Sequence, residues 1–415
     1  MRLKTPMVFI IALLLSSSAL GATAPAQPSS GLQMVVVVSR HGVRSPTHPD
    51  ELQAYARDPW PKWAGQPGDL TQRGALLMQQ FGGYYRRFYG PLLGMAASGC
   101  PAPGSVFIWA DVDQRTRATG DALLKGFAPV CGITVGHSLR DPDPLFDPLP
   151  GVGVVNKAES TASVLGAVGG SFSGLTHAYG PTFATLEHVL ACGPCKQISK
   201  VPTTLDNTGD GGLASVNGGL DMASDVAENL LLEYTDGHSQ VGWGRVDHAH
   251  LVQLLQLHVL AKKLEHNRYA ARAHSSNIMM HVLQTLEEGA TGKAVSGTRV
   301  PPNSRFVFFS GHDTQLAELS SMLHLSWLVK GDQLNDTPPG GALIFELHAP
   351  ASGGAQPFVR TFFIAQSLDA MRAGNGQNPQ RVPVYLSGCP AFDCPFATFN
   401  RVVTSAIDPK FVASW

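Results

Sequence analysis

Three short apolar runs stand out along the chain, and each ends in polar residues. They are Met34–Ser39 (MVVVVS), Ser105–Ala110 (SVFIWA) and Arg305–Ser310 (RFVFFS). Continuous apolar runs of this length predict strands buried on both faces of a largely parallel sheet. Helical spacing fills the gaps between them. Leu70-Thr71 opens a helix carrying Leu76, Leu77, Gln80, Phe81 and Tyr84, and Gly90-Pro91 stops it. Asp113 to Phe127 and Asp313 to Leu323 are the expected helices after the second and third runs, the latter with Leu316, Leu319 and Leu323 on one stripe. Beyond Pro338-Pro339-Gly340-Gly341, further strands are expected at Ala342–His348, Phe358–Gln366 and Val382–Leu386.

The middle of the chain follows another pattern. Residues 151–244 are rich in Gly, Ser, Thr and Ala, with helical stretches at Thr182–Leu190 and Leu220–Tyr234. Amphipathic helices at Asp247–Leu264 and Ser276–Leu286 lead back to the sheet. The expected fold class is α/β: a large three-layer domain with a mostly parallel sheet flanked by helices, plus a smaller, mainly α-helical inserted domain. Residues 27–150 and 245–415 form the first and 151–244 the second.

Residues 1–26 have the order of a secretory signal. Arg2 and Lys4 precede the apolar run Met7 to Leu15, and small residues follow, with candidate cleavage after Gly21 or Ala26. The run is shorter than the roughly 20 residues of a spanning helix. The expectation is a periplasmic or secreted protein with no membrane association after cleavage. Six cysteines fit an oxidising compartment. Cys192-Gly-Pro-Cys195 has no second CxxC to complete a zinc site and no thioredoxin-like context, which favours a short structural disulfide. Lys+Arg total 30 against Asp+Glu 31, with no basic tail, so nucleic acid is not an expected partner.

The chemistry lies where the strands end. The first run delivers Arg40, His41 and Arg44, the second Asp111 and then Arg115, the third His312 and Asp313. Ligands of open α/β sheets bind at the carboxyl ends of the strands. Each motif alone has a bland reading: a surface loop for RHGVR, an intrahelical ion pair for DVDQRTR, a helix cap for Asp313. The three together, in this order and at strand ends, are hard to explain structurally. Arg presents a planar fork that matches phosphate oxygens.

These motifs resemble the histidine acid phosphatase family, in its branch of bacterial periplasmic phytases and glucose-1-phosphatases, within the wider phosphoglycerate mutase-like superfamily. The resemblance rests on RHGVRSP and the distant GHD. WPKW, LTQRG, ADVDQRTRATG, DPDPLF, VGWGRV, FFSGHDTQLA and LSGCP extend it over most of the mature chain. It implies that His41 attacks phosphorus, that Arg40, Arg44, Arg115 and His312 hold the phosphoryl oxygens, and that Asp313 protonates the leaving group. It implies no cofactor and no metal. With chain proximity, it also implies the pairing Cys100–Cys131, Cys192–Cys195 and Cys389–Cys394. The expected partner is a small phosphorylated substrate, an inositol or sugar phosphate, bound by a monomer with an acidic pH optimum.

For the substrate pocket the resemblance points to Thr47, His48, Asp111 and Glu228. His48 stands near where the phytases carry a basic residue, and Asp225 replaces an apolar one. Arg272 and His274 stand where phytases tend to place basic residues. The glucose-1-phosphatase branch resembles the chain around Asn378 to Pro390, but it usually has Asn where this chain has Gly42. A sugar phosphatase is therefore the alternative to a phytase, with a phosphotransferase of the same superfamily behind both.

Overall fold

A computed structural model describes residues 31–48, 50–96, 98–149, 151–193, 195–349 and 356–414; the expected signal segment lies outside the described residues. The chain runs β1 (Leu32–Arg40), α1 (Gln72–Leu92), β2 (Val106–Ala110), α2 (Gln114–Phe127) and β3 (Gly136–His137). It continues through α3 (Lys157–Ala167), α4 (Leu175–Ala178), α5 (Gly180–Leu190), β4 (Thr203–Asp206), β5 (Ser215–Gly218), α6 (Gly219–Asp236), α7 (His248–Glu265) and α8 (Arg268–Thr291). Then come β6 (Phe306–Gly311), α9 (Asp313–Leu323), β7 (Ala342–His348), β8 (Phe358–Ala365), α10 (Leu368–Ala373), β9 (Gln380–Val384), β10 (Cys394–Pro395) and α11 (Phe396–Ala406).

The large sheet has the order β10-β8-β7-β1-β6-β2-β3, with β9 also paired to β8. The α/β class and the flanking helices agree with the sequence reading, but "mostly parallel" needs correction. β1, β6, β2 and β3 pair in parallel, whereas β7, β8, β9 and β10 join antiparallel. Every residue of β7 is buried, Glu346 and His348 included, so no alternation of burial marks its direction. Direction is set by the connection: only the positions 349–357 separate β7 from β8, fewer than the dozen or more residues that a parallel crossover needs.

The valines of β1 alternate between two cores, as the twofold strand period requires. Val36 and Val38 pack with α8 and α9 through Ile278, Met279, Leu316 and Leu319. Val35 and Val37 face α1 and α2 through Phe81, Tyr85 and Leu123. Thr71 caps α1, its side chain accepting from the Gly74 amide. The helices α1 and α2 touch backbone to backbone: a Cβ on Gly126 would lie 1.8 Å from the Gln79 carbonyl oxygen. That contact fixes α2, which carries Arg115 at its first turn.

A further core joins α5, α6 and α7 through Leu186, Leu230, Leu231, Leu251 and Leu254. The cysteines pair as Cys100–Cys131, Cys192–Cys195 and Cys389–Cys394, the pairing expected above.

Candidate active site

Because β1, β6 and β2 are adjacent and parallel, their carboxyl ends open on one edge. Arg40 stands opposite Gly311, and Ala110 opposite Ser310. The loops leave the sheet still bonded: His41 N donates to Gly311 O at 2.8 Å and Asp111 N to Ser310 O at 3.0 Å. His41, Arg44, Asp111, Arg115, His312 and Asp313 thus line one cavity of about 320 Å³.

His41 is buried, and its Nδ1 lies 2.8 Å from the carbonyl oxygen of Gly42. A carbonyl only accepts, so Nδ1 carries the proton. Burial, then the charges of Arg40, Arg44 and Arg115, hold the ring's pKa well below the ordinary histidine value. The imidazole is therefore neutral, with its lone pair on Nε2. Gly42 permits this loop: a Cβ there would lie 2.8 Å from Met78 Cγ and 3.0 Å from Leu70 Cδ1.

Arg40 is fully buried. It donates to Thr337 O at 2.6 Å and pairs with Glu228 Oε1. Arg44 Nη2 reaches the same Glu228 oxygen at 3.0 Å. Burial would push the Glu228 carboxyl up, but Arg44 and Arg40 outweigh it and hold it ionised. Arg115 pairs at 2.6 Å with Asp113, the N-cap residue of α2 two positions before it, rather than in the i,i+4 pair expected of DVDQRTR. His312 Nε2 bonds Asp111 Oδ2 at 2.7 Å, and its ring stands edge-on to that of His41 with centroids 5.6 Å apart. His312, rather than Asp313, is the N-cap residue of α9; Asp313 is the first helical residue.

Asp313 is buried, with Lys262 Nζ 3.4 Å and His258 Nε2 3.9 Å from its Oδ2. Burial favours the protonated acid, but Lys262, Arg40, His258 and His41 together hold the carboxyl well below its ordinary range. Sequence reasoning missed Lys262 and His258. Both lie on α7, and His258 is fixed by Ser224 Oγ at 3.1 Å.

The pocket residues divide. Thr47 and exposed His48 border a space of about 30 Å³ with Arg44, Asp225 and Glu228. Glu228 holds two arginines and so belongs with the phosphate cluster. Asp225 is raised to about 7, by burial and then by Asp221 and Glu228. His274 is not an open cation: it bonds Glu318 at 2.9 Å and lies 3.7 Å from Asp210. Arg272 donates to the Ala406 carbonyl, away from the site.

Among the described residues, two groups have donor atoms close enough for a metal ion, Asp111–Asp113–His312 and Glu228–His258–Asp313. In both, cations already occupy the carboxylates: Arg115 on Asp113, Arg40 and Arg44 on Glu228, and Lys262 on Asp313. The donor sets fit an anion site better than a metal site.

Residues 31–168 and 238–363 match the model of the histidine phosphatase superfamily, branch 2. This chain belongs to that family. It is 34% identical to the phytase AppA of Escherichia coli K12, over 98% of this chain and 99% of that one. It is 24% identical to a glucose-1-phosphatase of Providencia rettgeri, over 96% and 99%. A structure of Hafnia alvei phytase in complex with tartrate superposes with a TM-score of 0.87 at 30% identity, covering 94% of this chain and all of that one. The branch 2 histidine phosphatase described here is thus a phosphomonoesterase of the acid phosphatase type.

Proposed function

We propose that this phosphatase is exported and hydrolyses inositol or sugar phosphates through a phosphohistidine on His41. The observation that carries the reading is the hydrogen bond from His41 Nδ1 to its neighbour's carbonyl, which leaves Nε2 as a neutral, aimed nucleophile. In the first step the Nε2 lone pair forms a bond to phosphorus and the ester P–O bond breaks. The departing alkoxide takes the proton of Asp313. In the second step the Asp313 carboxylate takes a proton from water, whose oxygen bonds to phosphorus. The P–N bond then breaks, returning the lone pair to Nε2 and releasing inorganic phosphate.

Arg40, Arg44, Arg115 and His312 are proposed to hold the three phosphoryl oxygens, where charge develops in the transition state. Glu228 keeps two of these guanidiniums in place. Asp313 must be protonated to act as the acid. A phosphate dianion bound beside it disfavours its charged form, because like charges repel. Thr47, His48 and Asp111 are proposed to border the leaving group. The helical segment 151–244 is proposed as an inserted cap contributing Glu228.

Phytase is placed ahead of glucose-1-phosphatase because Gly42-Val43 follows the phytase pattern where the latter branch usually has Asn; a Cβ at position 42 would lie 2.8 Å from Met78 Cγ, so a larger residue there would require its neighbours to shift. Export is supported by the signal-like residues 1–26 and by three disulfides, which persist in oxidising compartments. The test is incubation with phytate, glucose-1-phosphate and an aryl phosphate at several acidic pH values. Release of inorganic phosphate supports the reading. An isomerised product, or binding without release, contradicts it.

A further inference from the structure

The carboxylates that line the cavity of His41 are not equally committed. Asp111 bonds His312 at 2.7 Å, Asp113 pairs with Arg115 at 2.6 Å, Asp313 pairs with Lys262 at 3.4 Å, and Asp141 is exposed. Asp147 differs. Among the described residues its ion pair is with His274 Nε2, at 4.0 Å. That nitrogen lies closer to Asp210, at 3.7 Å, and the other nitrogen of the ring bonds Glu318 at 2.9 Å. One imidazole is thus shared among three carboxylates. Asp147 also lines a second cavity of about 200 Å³, which meets the first along Asp147, His312 and Thr314. Beyond Asp147 the acids of this second cavity are Asp210, Glu265 and Glu318; its basic residues are histidines, and no lysine or arginine lines it. The place of Asp147 is fixed: its N–H donates to Asp143 O at 2.9 Å, and Gln315 Nε2 from α9 donates to the neighbouring Phe146 carbonyl at 2.9 Å.

Resting on the hydrolase reading above, we propose that Asp147 is a specificity-determining residue that binds an ammonium group on the leaving alcohol, so that the favoured sugar phosphates are those carrying an amine. The geometry supplies the reason. With the phosphoryl group among Arg44, Arg115 and His312, the alcohol is left the rest of that cavity and its continuation past Asp147. A carboxylate there that holds only a distant share of one histidine gains a charge-assisted hydrogen bond from an ammonium. A hydroxyl brings the donor without the opposite charge. Asp147 is faced by Asp111 from the end of β2, by His312 from the turn into α9, by His274 from α8 and by Asp210 from the loop between β4 and β5. Burial, then Asp111, raises its carboxyl to about 6, against the pull of His274 and His312. The selection is therefore one of pH. When ionised, the carboxylate favours an ammonium and repels a further anion; in stronger acid the neutral carboxyl does neither.

Glucosamine 6-phosphate and glucose 6-phosphate make a matched pair of probes, differing by an ammonium in place of one hydroxyl. The ratio of their kcat/KM values cancels the titration of His41 and Asp313, which act on the phosphate common to both. In the wild type the ratio is expected to favour the amino sugar and to rise between about pH 5 and pH 7, as Asp147 of the free enzyme ionises while the amine stays protonated. Asp147→Asn keeps the shape and loses the charge. It should lower the ratio at the upper end of that range about tenfold, as expected for one hydrogen bond to a charged group, and flatten its pH dependence. The loss should fall mainly on KM for the amino sugar. Asp147→Glu, which keeps the charge, should retain the rise, a result that a merely structural role would not produce. A flat or falling ratio in the wild type overturns the proposal without reference to any variant. So does an undiminished rise in Asp147→Asn. Phosphate release from an aryl phosphate with none from either sugar also overturns it, and leaves the hydrolase reading standing; no release from any of the three refutes both.

Discussion

Glu228 holds Arg44 at 3.0 Å through the same oxygen that pairs with Arg40. One helical carboxylate thus orders two guanidiniums that come from the end of a strand and from the loop behind it. Removing it leaves two buried charges without their partner. Breaking a buried pair on one side costs about 3–5 kcal/mol. Glu228→Ala is expected to lose stability of that order in urea unfolding. Added inorganic phosphate should stabilise the variant more than the wild type, because the anion replaces the missing charge. Equal stabilisation of both proteins would contradict this account of the arginine cluster.

The pH–rate profile follows from two groups. Burial and the three arginines hold His41 well below its ordinary pKa, so acidification disarms it only at a pH well below that ordinary value. Asp313 must carry a proton when substrate is bound. Hydrolysis is expected to peak below neutrality and to fall about tenfold per pH unit on the alkaline limb. A maximum above pH 7 would count against the assigned roles.

His274 and Glu318 give a separate prediction, for stability. Although burial opposes it, Glu318, Asp210 and Asp147 raise His274 to about 10. Although burial opposes it, His274 and His266 lower Glu318 to about 2. A raised histidine stabilises fully below its unfolded value of 6.5 and loses that contribution as pH rises toward 10. A depressed carboxylate stabilises above its unfolded value of 4.5 and loses it as pH falls toward 2. The stability difference between wild type and His274→Gln should therefore be greatest between those unfolded values, at about 3 kcal/mol, and shrink on both sides. A pH-independent difference would show that the pair is not ionic.

Much of this was legible in the sequence because the chemistry sits at strand ends. Met34–Ser39 and Arg305–Ser310 announce themselves by composition, and the residues after them fall where a parallel edge must deliver them. α9 was read from its stripe with both bounds correct. Lys262 was not legible. It lies in the last turn of α7, where a lysine is ordinarily a partner of the helix dipole. α7 is also packed on several sides, with Leu251, Leu254, Leu255 and Leu257 all buried, so periodicity does not say which face meets the site. Glu228 was singled out as a pocket residue. Its grip on Arg40 joins residues 188 positions apart, and no local pattern records it. The direction of β7 was hidden for a similar reason, since full burial erases the alternation that marks an edge.

The central claim is that His41 carries the phosphoryl group and Asp313 moves the protons. Asp313→Asn cannot deliver a proton to the leaving oxygen or take one from water. With an aryl phosphate, whose leaving group departs without help, it should form the intermediate and fail to clear it. Rapid quenching and mass-spectrometric mapping are expected to find an acid-labile phosphate on His41, absent when His41→Ala is introduced alongside. A phosphate on another residue, or turnover by Asp313→Asn with no phosphoenzyme at any time after mixing, would contradict the mechanism.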